Sequence, residues 1–139
     1  MSTSAPASPD ADVVTKSSAG TVADNVARLV ELVAARGMNV FVVIDHSGEA
    51  ERHGLHLRDT KVVIFGSPTA GTPVMQAAPL SALDLPLKVL VWDDDGQTKI
   101  SYVDPDALAR RHHLSAELAT RLAGIGALTD TLTAERLLE

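Results

Sequence analysis

The spacing of apolar residues changes twice in the first half of the chain, and each change predicts an element. Val22, Val26, Leu29, Val30 and Val33 recur at helical intervals, which aligns them as one stripe on a 3.6-residue helix. Thr21 and Asp24, three residues apart, have the form of a capping box, and Gly37 supplies the residue past a C-terminal cap, so a helix is predicted over about 22–36. The run MNVFVVID (38–45) then loses the helical period. Its continuous β-branched character predicts a strand buried on both faces and central in its sheet. KVVIFG (61–66) predicts another buried strand, while 12–17 offers a weaker one because only Val13 and Val14 carry apolar surface.

Between those runs, HSGEAERHGLHLRD (46–59) turns polar and predicts a loop that holds one helical turn. Residues 87–92 and 99–103 alternate on either side of DDDGQ, the signature of a β-hairpin. Pro105 after Asp104 predicts a helix through Arg111. Ser115 then caps a last helix whose apolar stripe is Leu118, Leu122, Ile125, Leu128 and Leu132, with Gly124 and Gly126 weakening its middle. The resulting order, β-α-β-β-α-β-β-α-α, has mostly hairpin-like links and two helical crossovers. It predicts an α+β fold with a mixed or antiparallel sheet and helices packed on one face.

Composition narrows the partners. At 139 residues the chain fits one domain, expected over 12–139, behind a flexible Ala, Ser and Pro tail over 1–11. Aromatics make up 3% of residues, so the core is expected to be aliphatic, with Trp92, the one indole, mostly buried in it. A net charge of -6 with scattered basic residues argues against nucleic acid. There is no cysteine, hence no disulfide, thiolate nucleophile or sulfur metal site. With no apolar run of membrane-spanning length and no secretory leader, a soluble cytoplasmic protein without a membrane partner is expected.

Candidate chemistry gathers in two places. FGSPTAGTPVMQ (65–76) sets turn formers directly after a strand. It lacks the Lys-Ser/Thr of a phosphate-binding P-loop. Thr72 before Pro73 reads as an N-cap followed by a first-turn proline, and the stretch is either that turn and cap or a ligand-facing loop formed by Gly66, Ser67, Gly71 and Thr72, with Gln76 facing a pocket. Asp45 and His46 stand where a strand emerges into a polar loop. Either Asp45 orients the imidazole for proton transfer, or it caps the next turn and leaves His46 solvated. His53 and His56 add imidazoles at a spacing of seven then three from His46, but the intervening chain has no readable geometry, and no metal site is expected. His112 and His113 are expected to interact with the dipole at a helix end, and the acidic run 93–95 is expected to be a hairpin turn rather than a Ca²⁺ loop.

The phrases IDHSGEAERHGL, FG-x-P-x-x-GTP-x-MQ, DLPLK-x-LVW and SY-x-DP, in that order over about 12–114, resemble the family known as domain of unknown function 302. The resemblance implies a TATA-binding-protein-like α+β fold, a homodimer and no established reaction. It carries over to Asp45, His46, Phe65, Gly66, the 71–73 segment, Met75, Gln76, the 84–88 segment, Tyr102, Asp104 and Pro105. Ser67 departs from the family's Asn, and a hydroxyl cannot offer both a carbonyl and an amide. The function expected is a noncatalytic dimeric module holding a small polar or anionic metabolite between the 66–76 loop and the Asp45–His46 strand end. An enzyme using Asp45 and His46 as an acid/base pair, and a purely structural or interaction protein, are the alternatives. No cofactor motif is present.

Overall fold

In a computed structural model, which describes residues 11–134, one antiparallel sheet carries the fold. Strands β1 (Val13–Ser18), β2 (Asn39–Asp45), β3 (Thr60–Gly66), β4 (Leu87–Asp94) and β5 (Gln97–Val103) lie in the order β1-β5-β4-β3-β2. Helix α1 (Val22–Ala35) crosses the sheet from one edge strand to the other. The antiparallel form of the expected α+β sheet is realised throughout. The expected tail falls outside the described residues except for residue 11.

Local signals are met closely where they act over a few residues. At the start of α1, the Asp24 N–H donates to Thr21 Oγ1 at 3.0 Å and the Thr21 N–H to Asp24 Oδ2 at 3.3 Å. At its end, Gly37 adopts φ +74, with its N–H on Ala34 O and the Met38 N–H on Val33 O. This is a Schellman cap, and the residue at its second outer position, Met38, packs against the core. The β4–β5 hairpin turns on Asp95 and Gly96, both at positive φ (49 and 91), the requirement of a type I′ turn.

Alternation along the strands gives the sheet two unlike faces. Val63, Phe65, Val89, Val91, Ile100 and Tyr102 form a buried core with Leu29 and Val33 of α1 and with Ile125, Leu128 and Leu132 of a C-terminal helix. Asn25 ties β1 to α1 inside this layer, accepting from Ser18 Oγ at 2.6 Å and donating to the Ala19 and Thr21 carbonyls. The other face carries Val42, Ile44, Val62, Ile64, Leu90 and Trp92 beside the more polar Ser101 and Thr15.

Three expectations are corrected. The run 38–45 is not central. Its strand, β2, is an edge with Phe41 52%, Val42 44% and Val43 39% exposed, because β-branched runs report a pleated apolar surface and not what covers it. The final helix is two, α5 (Ala116–Thr120) and α6 (Gly124–Ala134), broken at 121–123. The break lets one stripe serve two cores: Leu118 and Leu122 join a second cluster with Val74 and Leu108, while Ile125, Leu128 and Leu132 enter the first. Trp92, expected in the core, lies partly buried on the open face, where its Nε1–H donates to Ser101 Oγ at 2.9 Å.

Candidate functional site

The two candidate regions of the sequence lie at opposite ends of the β2–β3 pair. Asp45 is opposite Lys61, whereas Gly66 is opposite Asn39, so six residues of strand separate Asp45 from Gly66, roughly 20 Å at ~3.3 Å per residue. The expected seat between them is therefore not assembled within one chain.

At the first end, Asp45 is the N-cap of helix α2 (His46–Arg52). Its carboxylate accepts the Gly48 N–H at 2.9 Å and the Ser47 hydroxyl at 2.8 Å. The Gly48 bond first, and the Ser47 bond next, hold the Asp45 carboxyl below the ordinary carboxylate range. An anion fixed this way is a poor general base. His46, the first helical residue, is exposed. Gly48 was not singled out in the sequence, yet a Cβ there would stand 2.5 Å from Asp45 Oδ2. His53 caps the end of α2 with Nδ1 at 3.0 Å from Glu49 O, and His56 lies beyond it beside an open, polar hollow lined by Asp45, Glu51 and Asp59. Among the described residues, no three His, Asp or Glu side chains stand together as metal ligands.

At the second end the polypeptide builds a pocket. Helix α3 covers Pro68–Ala77, so the cap and first-turn proline are Ser67 and Pro68 rather than Thr72 and Pro73. That shift sets the helical phase. Pro68, Gly71 and Met75 recur at three then four residues and line a cavity of about 160 Å³. Thr72 and Gln76, each one position further round the helix, are exposed and lie outside its lining. The remaining wall comes from Met38 after α1, Phe41 of β2, Gly66 of β3, the 85–87 segment leading into β4, and Leu122 between α5 and α6. Of the expected site residues, Gly66, Ser67 and Gly71 face this one space.

Nearly the whole wall is apolar, and the polar groups cluster at one edge. Ser67 does not cap a first-turn N–H with its side chain; its hydroxyl instead pairs with Thr69 Oγ1 at 2.8 Å. Pro73, inside α3, cannot donate to the Thr69 carbonyl as a helical residue would. Arg121 Nη1 stands 3.5 Å from that oxygen, and Arg121 belongs to the pocket lining. The sequence reading missed Arg121, which lies 52 residues from Thr69. It also assigned His112 to a helix dipole alone. His112 does cap helix α4 (Pro105–Arg111), but its Nε2 meets Asp84 Oδ2 at 2.6 Å with only 9% of the side chain exposed. Asp84 directly precedes the pocket residues Leu85 and Pro86, so this pair joins the end of α4 to the pocket wall.

Comparison with known proteins agrees with this architecture. A crystal structure of an uncharacterized conserved DUF302 protein from Bacillus stearothermophilus superimposes with a TM-score of 0.77, covering 91% of this chain and 98% of that one at 19% identity, which establishes likeness of fold. Among curated sequences, the fluoride-specific ion channel FluC 1 of Brucella suis is 38% identical over 125 residues, spanning 86% of this chain and 49% of the channel protein. FluC 2 of Brucella melitensis matches at 38%, over 46% of its length. The chain thus spans about half the length of the curated relatives it matches, and among the described residues no helix is long and apolar enough to cross a membrane. The family model described as domain of unknown function DUF302 matches residues 13–129, and on that match the chain belongs to the DUF302 family.

Proposed function

We propose that this chain is a noncatalytic, cytoplasmic binding module whose ligand seat is the pocket between α3, β2, β3 and Leu122. The observation that carries the reading is convergence: segments far apart in the chain meet around one concave apolar space that includes Gly66 and Gly71. Preformed, mostly apolar hollows with a few polar groups at one side are the usual form of small-molecule sites. The pocket brings a hydroxyl and a guanidinium but no base beside a nucleophile, so binding accounts for it better than turnover does.

A screen of small metabolites by thermal shift tests the seat, with Gly71→Leu as the blocked control. A Cβ at Gly71 meets only Met75 Cε at 3.9 Å, and Leu replaces Gly in a helix with a gain of up to ~1 kcal/mol. The variant should therefore fold while its side chain fills the seat. A ligand at 100 times its dissociation constant adds ~2.7 kcal/mol to the wild type. An equal response from Gly71→Leu would show that the ligand sits elsewhere.

The module is also proposed to pair with a second copy through its open sheet face. Six large apolar side chains on β2, β3 and β4 lie side by side there, and burying such a face against itself is what a twofold interface does.

A further inference from the structure

Building on the pocket reading above, we propose that the seat takes a short carboxylic acid, with an apolar body of about six carbon atoms inside and its carboxylate at Arg121. Three observations on the pocket converge on this class. Its volume is about 160 Å³, close to the ~150 Å³ apolar cavity that accommodates one benzene molecule. Its wall is built from Met38, Phe41, Met75, Pro86, Leu87 and Leu122, which offer dispersion contacts and nothing to satisfy a polar group placed deep inside.

The third observation is the cation. Arg121 has no carboxylate within salt-bridge distance among the described residues. Among the described residues its side chain makes one hydrogen bond, an N–H donated to Thr69 O at 3.5 Å, the limit of such a bond. A guanidinium has five N–H donors in a planar fork that suits a carboxylate, so this contact leaves most of them without an acceptor among the described residues. The role of substitute donor for Thr69 accounts for one donor at most. The protein carries a net charge of -6 and so repels anions at long range, which makes a cation with no counter-ion among the described residues, in the lining of an apolar pocket, a local selection for a negative group. The first turn of α3, at the same edge, adds its partial positive charge. An acid of this size places its body and its charge on the matching parts of the site; a sugar phosphate or nucleotide would bury hydroxyls against an apolar wall.

The test uses methyl-labelled methionine, because two of the chain's three methionines, Met38 and Met75, line the pocket. Hexanoate and benzoate are titrated against hexanol and benzyl alcohol, with decanoate as the oversized acid. The expected result is saturable shifts of the Met38 and Met75 methyls with the two short acids, affinities for the alcohols weaker by roughly tenfold, the worth of a hydrogen-bonded charge at a solvated edge, and weak binding of decanoate. Arg121→Gln should abolish the preference for acids while leaving alcohol binding in place, and Gly71→Leu should abolish both. Equal binding of acids and alcohols, or a preference that survives in Arg121→Gln, overturns the carboxylate assignment and leaves the pocket reading standing. If none of the compounds moves Met38 or Met75, both fall together.

Discussion

Leu122→Ala tests whether one side chain serves the second core and the pocket wall at once. Leu122 is 4% exposed, packs with Val74 and Leu108, and lines the cavity. The substitution removes three carbon atoms, worth about 2.4 kcal/mol of transfer free energy at ~0.8 kcal/mol per methylene. In a sealed core a cavity penalty of ~24 cal/mol per Å³ would be added and carry the total toward 4–5 kcal/mol. Here the space opens onto a hollow already reached from solvent, so most of that penalty is absent and the expected cost is about 2–3 kcal/mol. Urea unfolding at matched protein concentration measures it. The same substitution enlarges the pocket, and the preferred acid should move from six carbons to eight or nine in the methionine-methyl titration. A loss above about 4 kcal/mol would mean that Leu122 is sealed from the pocket, and an unchanged chain-length optimum would mean that it is no part of the wall.

Asn25→Ala should cost about 2–4 kcal/mol in urea unfolding, since it removes three hydrogen bonds of ~1 kcal/mol each and leaves the buried Ser18 hydroxyl without its acceptor; a loss below 1 kcal/mol would show that water replaces the amide. Asp45, whose carboxyl is lowered in the folded state, contributes stability that is present above its unfolded value of about 3.9 and is lost as pH falls through the lower folded value. Asp45→Asn should accordingly flatten the acid limb of the stability curve below about pH 4, and an unaltered limb would remove the cap from the account. His46→Ala, at an exposed position, should change stability by no more than about 0.5 kcal/mol and leave the response to pocket ligands intact. Leu90→Lys, in the middle of the open sheet face, should convert a dimer to a monomer by light scattering; a wild type whose mass is that of one chain at micromolar protein would refute the pairing.

Part of the candidate site was legible because its signal is local. Gly66, Ser67 and Gly71 follow a strand in turn-forming order, and the structure brings all three to the pocket. Thr72 shares the ligand-facing reading of that loop, and Gln76 the reading of an amide turned to a pocket. With the true start at Ser67–Pro68, Gly71 and Met75 line the pocket, and Thr72 and Gln76, one residue further round the helix, are exposed. Asp45 and His46 had two local readings. The cap is the one that the Gly48 and Ser47 hydrogen bonds realise.

Features settled within about five residues follow from the residue types alone: the capping box and Schellman end of α1, the Asp95–Gly96 turn, the caps at Asp104 and Ser115, and the alternation that makes strands. Such features need only φ/ψ preferences and neighbouring donors, which the residue types carry with them. Long-range packing is what makes β2 an edge, divides the C-terminal stripe between two cores, and brings Arg121 to Thr69 across 52 residues and His112 to Asp84 across 28. Those outcomes rest on which surfaces meet when the chain collapses, and an apolar or charged residue has the same local signature whatever it meets.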